Sequence, residues 1–191
     1  SGTVLMRAAN YAFGGADRTI TTTGVLTIQP DADENSFASS FDNQYLNPVN
    51  VTGLTLGKSS NASAITLSRA ISLSGPVSIY GGSIDVNANI TANSGNILLD
   101  ADTGSTLNQS STGILLDNAI TIETVTSGNL TLIGRSGDTG SGFDGIDASS
   151  ANTTTLRSAG NLTLQGYSYA ASGSGRGVDL NNDVIAASGT V

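Results

Sequence analysis

Ser127-Gly128-Asn129-Leu130-Thr131-Leu132 is answered 32 residues later by Ala159-Gly160-Asn161-Leu162-Thr163-Leu164, and this pair decides the fold. A glycine, a polar residue and then alternating aliphatics describe a corner followed by a strand. Period two sends Leu130 and Leu132 to one face and Thr131 to the other. The same phrase occurs as Gly24-Val25-Leu26-Thr27-Ile28 and Gly95-Asn96-Ile97-Leu98-Leu99, and more loosely after Gly2, Gly53 and Gly75. Successive starting glycines lie between 20 and 33 residues apart. Repeats of that length mark a solenoid, whose units bury their apolar faces only by stacking on one another. The opening Ser1-Gly2-Thr3-Val4 returns in register as Ser188-Gly189-Thr190-Val191, 187 residues on. Residues 1–191 therefore read as one β-helical segment, about one period of a longer array.

Each copy divides into three short strands. Ser83-Ile84-Asp85-Val86 leads through Asn87 to Ile90-Thr91-Ala92, then through Ser94-Gly95 to Ile97-Leu98-Leu99. Gly113 to Leu132 and Gly177 to Gly189 repeat the scheme. Asn and Gly at the corners accept the left-handed backbone of a sharp bend, and no 3.6-residue periodicity competes. The expected fold is all-β, a parallel β-helix of about seven coils, advancing roughly 34 Å at ~4.8 Å per coil. Longer steps place loop insertions at residues 29–51, 134–145 and 166–177, and loops on a rigid solenoid are where binding usually resides.

Composition narrows the function. Cys and His are absent, which removes disulfides, thiolate metal sites and the usual general base near neutral pH. A net charge of -8 with seven basic residues argues against nucleic acid. No run reaches the roughly 18 apolar residues of a membrane span, so no membrane insertion is expected. An enzyme on this scaffold needs clustered carboxylates or a calcium ion with a basic partner. Arg7, Arg18, Lys58, Arg69, Arg135, Arg157 and Arg176 are instead scattered, and no catalytic residue is assigned.

The phrases GNLTL, GVDLNNDVIAASGTV and ISLSGPVSIYGGSIDVNANI resemble the stalk repeats of large bacterial surface exoproteins of the filamentous-haemagglutinin type. The resemblance implies a right-handed helix, secretion to the bacterial cell surface, and a role in adhesion or extracellular matrix. The expected function is a stiff rod segment whose partners are further copies of the same repeat stacked end to end. The alternative is a module that binds a host or matrix glycan, or a receptor, through its loops. A polysaccharide-degrading enzyme is the third reading.

Two acidic stretches invite a metal. Asp31, Asp33 and Asn35, with Ser39 and Asp42, approximate the oxygen spacing of a calcium loop, although position six is Ser36 instead of glycine. The competing reading is a solvated acidic loop. Gly140-Ser141-Gly142-Phe143-Asp144-Gly145-Ile146 matches one calcium-binding nonapeptide, a motif that works between tandem copies. Phe37, Phe41, Tyr45, Tyr167 and Tyr169 are the candidate binding-loop aromatics, with Tyr11, Phe13 and Tyr80 as further sugar-stacking faces. The competing reading packs these rings under loops or over the ends of the bore.

Overall fold

The computed structural model describes residues 2–11, 15–101, 111–148, 152–181 and 183–191; Ser1, Phe13 and Asn182 lie outside them. Within these residues the chain makes twenty strands and no helix, so no helix is long and apolar enough to cross a membrane. The first turns supply β1 (Val4–Arg7), β2 (Arg18–Thr21) and β3 (Val25–Gln29), then β4 (Phe41–Asp42), β5 (Leu46–Val49) and β6 (Gly53–Leu56). Two regular coils follow: β7 (Ile65–Leu67), β8 (Ile71–Leu73) and β9 (Val77–Tyr80), then β10 (Ile84–Val86), β11 (Ile90–Ser94) and β12 (Ile97–Ala101). Two more bring β13 (Ile114–Leu116), β14 (Thr121–Ser127) and β15 (Leu130–Arg135), then β16 (Ile146–Ala148), β17 (Thr155–Ser158) and β18 (Leu162–Tyr167). The last strands are β19 (Val178–Leu180) and β20 (Val184–Ala187).

Each strand pairs in parallel with its counterpart one coil away. The result is a seven-stranded sheet from β1 to β18, a six-stranded sheet from β4 to β19, a five-stranded sheet from β8 to β20, and the pair β2–β5. Seven strands in the first sheet are the seven coils of a parallel β-helix. Like residues stack on like along each sheet. Met6, Ile28, Leu56, Ile79, Leu99, Leu132 and Leu164 form one inward row of the seven-stranded sheet. Phe41, Ile65, Ile84, Ile114, Ile146 and Val178 form the row of the six-stranded sheet. Ile71, Ile90, Ile122, Leu156 and Ile185 form that of the five-stranded sheet. All three rows meet in one core, where the middle residues are fully buried.

The ends differ from the middle. The bore-facing side chains that stay partly exposed are Val4, Met6, Tyr11 and Ile20 at one end, and Leu164, Val178, Ile185 and Ala187 at the other. Leu180 and Val184 at the second end are 39% and 48% exposed. Natural solenoids cover such ends with polar caps. Among the described residues nothing covers either end here.

Segment 29–51 is only in part a loop, which corrects its reading as an insertion. Gln29 closes β3, and β4 and β5 carry the helix wall through the second half. Pro48 has no N–H to give to a second ladder, and β5 pairs only with β2. The bend is anchored by two buried asparagines. Asn61 Oδ1 accepts from the Phe37 N–H at 3.1 Å, and its Nδ2 donates to the Tyr80 carbonyl at 2.8 Å. Asn43 exchanges bonds with both backbone groups of Arg69, each at 2.9 Å.

Outward positions of the six-stranded sheet carry Asp42, Thr66, Asp85, Leu115, Asp147 and Asp179 in register. Burial raises the Asp85 pKa, and the charges of Asp117 and Asp42 raise it further, against a lowering hydrogen bond from Asn87. Its Oδ1 is buried without a hydrogen-bond partner. The folded state thus holds this proton more tightly than the unfolded chain. Its contribution favours folding at low pH and is lost as pH rises through the raised folded value. Asp85→Asn is expected to raise the melting temperature at pH 7, with the gain vanishing near pH ~3, below the ordinary aspartate range. Thermal scans at the two pH values check this; an equal shift at both would contradict it.

Candidate functional site

The two later insertions, residues 134–145 and 166–177, are not independent loops. Both leave the seven-stranded sheet at the same height, because Gly134 pairs with Gly166 and Arg135 with Tyr167. They then stack. Ser136 N–H donates to the Tyr167 carbonyl at 2.9 Å, and Tyr169 N–H donates to Ser136 Oγ at 2.8 Å. Ser168 Oγ donates to the Phe143 carbonyl at 2.9 Å. At the tips Ser141 and Ser172 form a parallel bridge, closed by Gly142 N–H on the Ser172 carbonyl at 3.2 Å. The pair is one two-layered protrusion that repeats the coil's own stacking outside its wall.

At its base the Arg135 guanidinium lies 5.0 Å from the Tyr169 ring centroid and 5.9 Å from that of Tyr167. The two rings are tilted, with centroids 6.4 Å apart. A cation over two ring faces holds them in place by cation–π attraction. Tyr169 keeps 43% of its surface exposed. Among the described residues, Tyr167 and Tyr169 are the pair of singled-out aromatics that comes together at the surface.

The others are placed differently. Phe37 and Phe41 are 3% and 4% exposed and stack on each other at 5.5 Å. Tyr11 meets both edge-on, at 5.7 and 5.9 Å. This cluster packs inside the bore near its first end, beneath the partly exposed residues of that end, so Phe37 and Phe41 have no face to offer a sugar. Tyr11 Oη donates to the Gln29 carbonyl at 3.2 Å, and burial raises its pKa. Tyr45 is half-buried in the turn before β5, and Tyr80 is half-buried at the end of β9.

The candidate calcium ligands do not converge. Asp31 Oδ1 accepts from the Ala32 N–H at 2.7 Å within its own turn. Asp42 sits in β4 and accepts from the Gln44 N–H at 2.9 Å and Ser68 Oγ at 3.1 Å. Asp33 and Asn35 are exposed between them. The carboxylates that do gather among the described residues are Asp144, Asp147 and Asp179, with ligand atoms within 4.8 Å of one another. Asp147 and Asp179 are register partners of β16 and β19, and Asp144 is the acid of the nonapeptide-like stretch. Arg176 answers this charge from within: its N–H donates to Asp144 and its guanidinium pairs with Asp179. Sequence reading named Asp144 and missed the other two as its partners, because their proximity depends on coil register.

A shallow groove lies elsewhere, where Glu123, Val125, Arg157 and Ala186 line the outer face of β14, β17 and β20. Glu123 and Arg157 approach to 3.9 Å across it, a surface pair of little energetic weight. No family model, no curated protein and no solved structure matches the chain.

Proposed function

We propose that the chain is a structural segment of a secreted, repetitive bacterial surface protein, a stiff rod that spaces or displays something else. One observation carries this reading: an apolar bore that runs the length of the unit and is open at both ends. Within a stack, each such face would be buried against the next unit. Stiffness follows from parallel ladders along the axis and from like-on-like aliphatic rows. The resemblance of its corner phrases to surface-exoprotein stalks points the same way and supplies the location.

Small-angle X-ray scattering on fusions of one, two and four copies tests it. The cross-sectional radius should stay constant while length grows by roughly 34 Å per copy, seven rungs of ~4.8 Å. Scattering from a flexible string of separate beads would overturn the rod.

A second reading rests on Tyr169, exposed beside Arg135 and Tyr167 on the stacked loops. Aromatic faces of this kind suit sugar rings. A glycan array with the wild type and Tyr169→Ala decides whether the rod also binds; binding lost on substitution would support it.

A further inference from the structure

We propose that the open end at β18, β19 and β20 is filled by another copy of the same unit in the same polypeptide, so that Ser188–Val191 of one copy are Ser1–Val4 of the next. This deepens the rod reading and rests on it. The first support is a repeated rung bond. The N–H of Leu54 donates to the Pro76 carbonyl, Val77 to Asn96, Ile97 to Asn129 and Leu130 to Asn161, all at 2.9–3.0 Å. Leu162 makes the same bond to Thr190 at 2.8 Å. A corner ladder agrees. Asn96 Oδ1 accepts from Asn129 N–H at 2.8 Å, Asn129 from Asn161 at 2.9 Å, and Asn161 from Thr190 at 2.9 Å. Thr190 thus stands where an eighth rung begins.

Gly2 supplies an independent observation. A Cβ at Gly2 would meet nothing within 4 Å, so nothing within this unit calls for glycine there. At the matching Gly189 a Cβ would collide with Asn161 Oδ1 and lie 3.1 Å from the Gly160 carbonyl. The glycine has a steric reason only when a coil like that of Gly160 lies beneath it. The continued register adds a specific contact. With Val4 at the place of Val191, Arg7 falls three residues on, opposite Gln165. Within the unit Arg7 pairs with Gln29, whose side-chain oxygen accepts from its Nε at 2.7 Å and Nη2 at 3.2 Å once the amide is turned to satisfy both its atoms. Gln29 and Gln165 hold the same position in their rungs. A separate molecule docking in this register would have to displace Ser188–Val191, whose places its own Ser1–Val4 would need.

The test is a two-copy fusion that shares the four residues at the junction, compared with the single unit. The fusion should melt in one transition several degrees above the single unit, since a coil interface is gained. Gly189→Ala at the junction should abolish that gain, while Gly2→Ala at the free end should leave it intact. A fusion that melts like the single unit and ignores Gly189→Ala would overturn the register, even where scattering still shows a rod. Sedimentation of the single unit should show monomer across concentration. Its spontaneous assembly into rods would overturn the single-polypeptide arrangement.

Discussion

Leu99→Ala should lower the unfolding free energy by about 2–5 kcal/mol, and Leu99→Asp should prevent folding at ambient temperature. Leu99 lies on the fifth strand of the seven-stranded sheet, between Ile79 and Leu132 in register, with no exposed surface. A neighbouring row cannot collapse into the space, because each side chain is fixed by a backbone rung ~4.8 Å away. Truncation therefore leaves most of its cavity open. A carboxylate there has no partner and no route to water, and its cost exceeds the few kcal/mol at which most domains stand. Urea titration monitored by circular dichroism measures the first variant. The same substitution at Leu164, in the partly open last rung, should cost visibly less. Equal losses at the two positions would show that the bore is not the continuous core described here.

Gly128→Ala should cost about 3 kcal/mol or more, from two sources. Its φ of 111° is a conformation that L side chains rarely adopt. A Cβ would also run into the Gly95 carbonyl one coil below and approach Asn96 N to 3.0 Å. Both obstacles are backbone, which cannot rotate away as a side chain would. Gly142 separates the two effects: its φ of 74° is also left-handed, but nothing stands within 4 Å of its Cβ position. Gly142→Ala should lose only the backbone term, about 1–2 kcal/mol. Equal denaturation midpoints for the two variants would remove the steric contribution at the corner.

Most of the coil was legible because each strand carries its own pattern. Gly-polar-aliphatic phrases name the corner and the inward face together, so β3, β12, β15 and β18 follow from local residues alone. The looser copy at Gly53 misplaces its corner by one residue. Gly53 pairs with Val25, and Thr52 stands where the others have glycine, its N–H donating to the Gly24 carbonyl at 3.0 Å. What decides that register is the neighbouring rung, which a single phrase does not contain. Strand β4 is hidden for a related reason: two residues have no period, and Phe41 reads as a loop aromatic until Phe37 and Tyr11 pack on it. The stacking of the two Ser-Gly loops did have a signal. Gly134–Gly145 and Gly166–Gly177 are equal in length and offset by the same 32 residues that separate Gly128 from Gly160. The gathering of Asp144, Asp147 and Asp179 follows once that offset is applied to the third strand as well.

The most direct measurement is cryo-electron microscopy of the two-copy fusion at a resolution that separates rungs. The account predicts one uninterrupted ladder at ~4.8 Å through the junction, with Arg7 of the second copy beside Gln165 of the first. A gap in the ladder, a capped end, or two units meeting at an angle would contradict it.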